Sequence, residues 1–177
     1  MDSSEEKITL ISPRPDMEEQ YLAYCRAFQR MDEPLQFMDD VAFRDFARFV
    51  LELRDAEQGL NLPPGFVPYA TYWLVRDDRT ILGNSALRFS LTPDLEDLGG
   101  HIGYRIHPFE RRRGYGKLIL KLTLEKARER GLERVLVTCD PSNIGSARII
   151  QGNGGVLASQ TYSQKFAREV SRYWIEL

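Results

Sequence analysis

A chain of 177 residues with 42% apolar residues, 28% charged residues and a net charge of −2 has the make-up of one ordinary soluble globular domain, expected to span 1–177. The near-neutral balance leaves no global nucleic-acid signature, and no apolar run approaches the ~20 residues that cross a bilayer. Met1–Lys7 is polar and acidic, unlike a signal peptide, and residues 1–6 are expected to be disordered.

Cys25 and Cys139 form no Cys-x-x-Cys pair, and with two histidines in all no metal site is expected. These features describe a reduced, cytoplasmic protein with no nucleic-acid or membrane partner.

In chain order, Ile8–Ile11 is a short β-type run. Asp16 opens a helix with Glu19 as capping-box partner, and Met17, Tyr21, Tyr24, Cys25 and Phe28 share one face. A second helix from Asp39 or Asp40 to Gln58 buries Ala42, Phe46, Phe49, Val50 and Leu53, and Gly59 stops it. The aromatic run Phe43, Phe46 and Phe49 is core. Asn61–Gly65 contains two prolines and is a loop. Strands at Tyr69–Arg76 and Ile81–Leu91 flank an Asp77–Thr80 turn. A connection rich in acids leads to a strand at Gly100–His107.

The helix from Tyr115 to Arg130 has a narrow polar stripe of Lys117, Lys121, Glu125 and Arg128, so it lies deeply against a sheet, and Gly131 ends it. Val135–Thr138 reads as a buried strand. A helix follows from Ser142 or Asn143 to Gln151, stopped by Gly154-Gly155, and then strands at Val156–Ser163 and Arg172–Leu177.

The segment Arg111-Arg112-Arg113-Gly114-Tyr115-Gly116-Lys117 lies between a strand and a helix. Strand, basic glycine turn and helix make a cradle for a pyrophosphate. Glycine allows close approach, and free N–H groups with the helix dipole favour an anion at the helix start. The Tyr115 ring is expected to pack while its N–H faces the ligand. A solvated basic turn would share the bare pattern. An ATP site would need a Gly-x-x-x-x-Gly-Lys-Ser/Thr loop, which the chain lacks.

Arg111-x-x-Gly114-x-Gly116 resembles the acyl-CoA signature of the GNAT superfamily, the acyl-CoA-dependent N-acyltransferases. The element order β-α-α-β-β-β-α-β-α-β-β, from about residue 8 to 177, resembles that superfamily's fold. The resemblance implies an α/β (α+β mixed) GNAT fold, a twisted mixed sheet of about seven strands with helices on both faces. Asn143, Ser146 and Gly154 resemble the second motif, although Asn143 would also serve as an ordinary helix cap. The neighbourhoods of Gly99–Tyr104, Cys139–Asn143 and Arg172–Ile175 look like one bacterial-type branch of predicted acetyltransferases.

The resemblance implies acetyl-CoA as co-substrate and direct attack on its thioester by an amine of a small molecule or peptide. Tyr104, Arg105, Ile106 and His107 would border the pantetheine arm. Arg111, Arg112, Arg113, Gly114, Tyr115, Gly116 and Lys117 would hold the diphosphate, with Asn143 and Ser146 beside the arm. Where the superfamily commonly carries a tyrosine acid this chain has Ile150, which leaves a non-catalytic CoA-binding sensor or interaction module as the alternative.

His101 is the candidate base, since an imidazole with a pKa near ~6.5 suits proton acceptance; a structural strand histidine is the other reading. His107 abuts the turn and is at most a positioning residue. Arg88, in an otherwise apolar strand, either points into the cleft or is solvated at an edge. Cys139 reads as a buried strand-end cysteine rather than a nucleophile. Asp32, Glu33, Asp39, Asp40, Asp94, Glu96 and Asp97 would suit a cationic amine, or are simply solvated. The late strands, with Tyr173 and Trp174, offer a surface for a homodimer or close the sheet.

Overall fold

The computed structural model describes residues 6–177, so the expectation for the extreme N-terminus falls largely outside the described residues. Ile8–Ile11 (β1), Tyr69–Arg76 (β2), Thr80–Arg88 (β3) and Ile102–Ile106 (β4) form one antiparallel sheet in the order β1-β2-β3-β4. Arg134–Cys139 (β5), Val156–Ser163 (β6) and Arg168–Glu176 (β7) form a second, in the order β5-β7-β6. The seven strands are those expected, but the single mixed sheet is divided in two. β4 and β5 come together only at their head and form no ladder, and every ladder among the described residues is antiparallel.

Helices cover both faces of the first sheet, as the alternation of β2 requires. Trp73 and Val75 pack with Glu18–Gln29 (α1), Asp39–Arg44 (α2) and Phe46–Glu57 (α3). Tyr72 and Leu74 face the other way, toward the long helix Tyr115–Glu129 (α5). The polar stripe of α5 is exposed as expected, while Ile119, Leu120, Leu124 and Ala127 are buried. Pro93–Asp97 (α4) is a short helix within the acid-rich connection, and Ile144–Gln151 (α6) packs against α5.

The expected second helix is two helices. Asp45 is extended (φ −156°, ψ 93°), and its carboxylate caps α3 by accepting from the Arg48 N–H at 3.0 Å. The apolar face continues across the break: Ala42, Phe46, Phe49, Val50 and Leu53 are all buried. The first helix also begins later than expected. Pro15–Met17 is a 3-10 turn, and Asp16 pairs with Arg14 instead of capping α1. β7 starts at Arg168, four residues before its expected start, and Tyr173 is buried in the core. Among the described residues, no helix is long and apolar enough to cross a membrane.

Replacing the α3 cap, Asp45→Ala, should cost about 1 kcal/mol of folding stability in urea denaturation, the usual worth of a helix cap. Acetyl-CoA affinity should stay as in the wild type.

Candidate active site

The site is built around the parting of β4 and β5. At the head of the gap the His101 N–H donates to Leu136 O (2.7 Å), the Leu136 N–H donates to His101 Nδ1 (2.9 Å), and the Gly99 N–H donates to Thr138 Oγ1 (3.0 Å). Gly100 permits this closure. Its φ is +63°, and a Cβ there would lie 2.4 Å from Leu136 O. Beyond the head the strands diverge.

The register of β4 on β3 decides which groups face the gap. The His107 N–H reaches Leu82 O and His101 O accepts from the Arg88 N–H, which sets Gly103 and Arg105 toward β3. Tyr104 and Ile106 therefore present their backbone groups to the gap.

At the far end of β4, Pro108–Glu110 makes a 3-10 turn and the chain enters the glycine segment. Gly114 is left-handed (φ +87°) and caps α5. The first N–H of α5 with a backbone partner is that of Leu118, on Gly114 O at 3.1 Å. Those of Tyr115, Gly116 and Lys117 have no partner among the described residues, so three donors and the positive end of the helix point outward together. The Tyr115 ring packs beside the core, as expected. Gly116 has a different reason from the one expected: a Cβ would come within 2.5 Å of Ile149 Cδ1, so it sets the contact of α5 with α6.

The arginines of the segment are mostly committed within the protein. Arg111 makes a bidentate pair with Glu33 (2.7 Å for each bond), and Arg105 reaches the same carboxylate at 3.3 Å while its guanidinium lies 3.5 Å above the Phe28 ring. These bonds, Arg111's first among them, hold the Glu33 carboxyl below the usual range. Arg113 and Arg76 share Glu110 at 3.0 and 2.9 Å. Arg112 is left-handed (φ +63°) and, like Lys117, exposed with no ion-pair partner among the described residues. The helix start thus leaves backbone N–H groups, Arg112 and Lys117 uncommitted, with Arg111 and Arg113 as braces.

Across the gap, the Asn143 side chain accepts from the Ser146 N–H at 3.0 Å and caps α6, which leaves its amide NH2 without a partner among the described residues. The Ser146 hydroxyl bonds the Tyr104 hydroxyl at 3.0 Å, so one contact joins β4 to α6. Burial pushes the Tyr104 phenol up to about 12. Ile150 is fully buried core. Tyr104 was expected only as a backbone contact; the contact of its hydroxyl with Ser146 is one that chain spacing could not place.

Geometry opposes the base role expected for His101. Its Nδ1 lone pair is taken by the Leu136 N–H, and burial, followed by the charge of Arg88, lowers its pKa to about 4. The neutral ring then carries its proton on Nε2 and has no free lone pair. His107 Nδ1 accepts from the Phe109 N–H at 3.3 Å, and the ring packs beside Tyr24 and Phe109, in keeping with a positioning role.

On the α1–α3 face, a cavity of about 500 Å³ opens against Gly103 and Tyr104. The acids expected near a cationic acceptor are mostly engaged elsewhere. Glu33 holds two arginines, Asp40 pairs with Arg44, Asp94 with Lys165 and Asp97 with Arg172. Asp39 is buried, with its carboxylate on the Tyr21 hydroxyl and the Gln36 N–H, both at 2.8 Å. Cys139 is buried and free, and burial raises its pKa, as expected of a thiol that is not activated.

A strand edge open toward a gap, a helix start offering free donors and a cavity behind the strand define an acyl-transfer architecture. Residues 19–156 match the family described as an acetyltransferase (GNAT) domain, and the chain belongs to that family. The family description makes it an acetyltransferase. No curated protein matches the sequence.

Among solved structures, the fold is similar to that of the ribosomal-protein-S5-alanine acetyltransferase from Vibrio fischeri, with a TM-score of 0.72 and 14% identity over 99% of this chain and 95% of that one. It is also similar to Mycobacterium smegmatis RimJ in complex with CoA-disulfide, with a TM-score of 0.71 and 16% identity over 96% of this chain and 81% of that one. The likeness extends to yncA from Salmonella typhimurium with its cofactor acetyl-CoA, at a TM-score of 0.61 and 14% identity over 96% and 94% of the two chains.

The His101 geometry has a pH consequence. A folded-state pKa of about 4, against the ordinary histidine value of 6.5, favours the neutral ring in the fold, so the contribution is full above pH 6.5 and is lost as pH falls from 6.5 toward 4. The shift corresponds to about 3 kcal/mol. His101→Asn keeps an acceptor and cannot titrate, so its stability relative to wild type should improve by roughly that amount between pH 6.5 and 4. Chemical denaturation at several pH values reads this difference.

Proposed function

We propose that the enzyme transfers an acetyl group from acetyl-CoA to a primary amine of a small molecule or peptide by direct attack in the β4–β5 gap. The observation that carries this reading is a convergence on one strand. β4 has the free α5 donors at one end, an open edge along its length and the cavity against Gly103 and Tyr104. Acetyl-CoA supplies an activated thioester carbonyl.

The Tyr115, Gly116 and Lys117 N–H groups face its diphosphate, and the exposed Arg112 and Lys117 add charge. Tyr104 and Ile106 offer backbone partners to an amide-bearing arm, and the free Asn143 amide stands across from them. An amine in the cavity approaches the same strand from the other side, which turns a chance encounter into a positioned one. Such an amine is protonated in solution, with a pKa near ~10.4 for a lysine-like group, and in this reading water in the cavity carries its proton away. His101 serves as a positioning residue that closes the head of the gap.

Tyr104 stays protonated at neutral pH and is held by Ser146, so its hydroxyl is the group that can hand a proton to the departing sulfur. In this reading the Tyr104 hydroxyl supplies the acid that Ile150 cannot. Peptide amines belong in the acceptor class because a structural neighbour is a ribosomal-protein-alanine acetyltransferase. Two free cysteines fit a reduced, cytoplasmic setting.

Release of free thiol from acetyl-CoA with a panel of amines tests the reading. Binding of acetyl-CoA with no thiol released by any amine overturns it. Tyr104→Phe should lower kcat by roughly 10²-fold, the low end of general-acid contributions, with little change in acetyl-CoA affinity. Gly114→Val forces a branched side chain into a left-handed position and should weaken acetyl-CoA binding in calorimetry by at least about tenfold, equivalent to ~1.4 kcal/mol.

A further inference from the structure

The cavity behind β4 has an unusual charge balance. Its floor comes from alternate residues of the sheet: Tyr69 and Thr71 on β2, Asn84, Ala86 and Arg88 on β3, and Gly103 on β4. Phe37, Phe49, Leu53 and Phe66 supply an apolar, largely aromatic wall. Gly103 leaves the floor low, because a Cβ built there would meet nothing within 4 Å. Arg88 is the one charged residue among those that line the cavity, within the described residues, and no carboxylate lines it.

The guanidinium of Arg88 is half satisfied. Nη1 donates to Gly100 O at 3.1 Å and Gly99 O at 3.4 Å, which holds the group at the head of the gap. Nε and Nη2 have no protein partner among the described residues, and no ion pair neutralises the side chain there. Burial lowers its pKa, and the neighbouring Tyr69 phenol, itself raised by burial, is neutral at ordinary pH and supplies no counter-charge. Asp39, a buried acid at the start of α2, is turned to Tyr21 and Gln36. A cation half-removed from water with an open fork is a site for a planar anion, which for arginine means a carboxylate held by parallel hydrogen bonds.

We propose that the amine acceptor carries a carboxylate beside an apolar, ring-sized group, and that Arg88 takes the carboxylate while the aromatic wall takes the ring. The proposal rests on the acetyl-transfer reading and specifies its acceptor. The cavity of about 500 Å³ suits a molecule of amino-acid size, within the range of ordinary small-molecule sites. Arg88 holds the head of the gap and Gly103 borders its side, so a carboxylate on the guanidinium sets a neighbouring amine against the open edge of β4. Polyamines and other polycations meet an unpaired positive charge in the same place and are disfavoured.

Wild-type enzyme with acetyl-CoA is assayed by thiol release with phenylalanine, phenylalanine amide, phenethylamine and spermidine, and with the dipeptides Ala-Asp amide and Ala-Asn amide. The expected result is a kcat/KM at least about tenfold higher for phenylalanine than for its amide or phenethylamine, with spermidine poorest. The same preference shown only by Ala-Asp amide over Ala-Asn amide supports the carboxylate and places it in a peptide. Arg88→Gln should bring the acid-to-amide ratio near one, and Arg88→Lys should restore part of it.

Because Arg88 also holds the Gly99–Gly100 turn, a second measurement is made on the wild type. Phenylacetate, which has no amine, should raise the thermal midpoint of the CoA-bound protein, and phenethylamine should not. Neutral or cationic amines that match or exceed their acidic counterparts, or a ratio unchanged in Arg88→Gln, overturn the proposal. If no amine releases thiol, the phenylacetate shift decides alone: a shift lost in Arg88→Gln keeps the carboxylate site while the transfer reading fails, and no shift in the wild type ends both.

Discussion

The separation of β4 from β5 is the constraint on which the rest of the molecule depends. A strand interior normally spends its N–H and C=O groups on both neighbours, and leaving one side open costs free energy or invites a foreign strand. Here the open side lies inside the fold. Gly100 bends the chain so that its backbone passes against Leu136, His101 supplies both a donor and an acceptor, and beyond that junction Tyr104 and Ile106 keep an edge free of any strand, with only the Ile106 carbonyl accepting from Arg111 Nε at 3.4 Å. Each half-sheet is complete without the other, with β7 between β5 and β6 and β3 between β2 and β4. The parting therefore persists without a ladder being broken to make it.

A division of labour follows at the end of β4. The arginines that attract attention in the sequence brace the turn against Glu33 and Glu110, while the helix start presents unpaired amides. Side-chain charge on flexible stems is costly to hold in one place; backbone donors on a helix are fixed by the fold itself. A braced, modestly charged turn is the outcome, with Arg112 and Lys117 left exposed beside it.

Much of this was legible in the sequence, and the legible parts share a property: they rest on local spacing. β2 occupies the residues its composition marks, the polar stripe of α5 is exposed, and Gly114 sits in the left-handed cap that a strand-to-helix turn requires. The break at Asp45 was hidden because the apolar face runs on through it, so the pattern of burial carried no trace of an extended residue. The partners of Arg111 were hidden because Glu33 lies 78 residues away. His101 illustrates the limit most clearly. Residue type and position both suited a base, yet the lone pair that would accept a proton is spent on Leu136, a contact that exists only after two distant strands meet. Arg88 could not be assigned to cleft or solvent until the register of β3 placed it on the same face as Asn84 and Ala86.

Glu33 stands on the segment between α1 and α2, on the same face as the cavity, yet its carboxylate grips Arg105 of β4 and Arg111 of the glycine turn. Its grip is a mechanical tether between two compartments otherwise separated by a sheet. An anion that drew Arg111 away would slacken that segment, and a segment that shifted would free Arg111, by the same free energy in either direction.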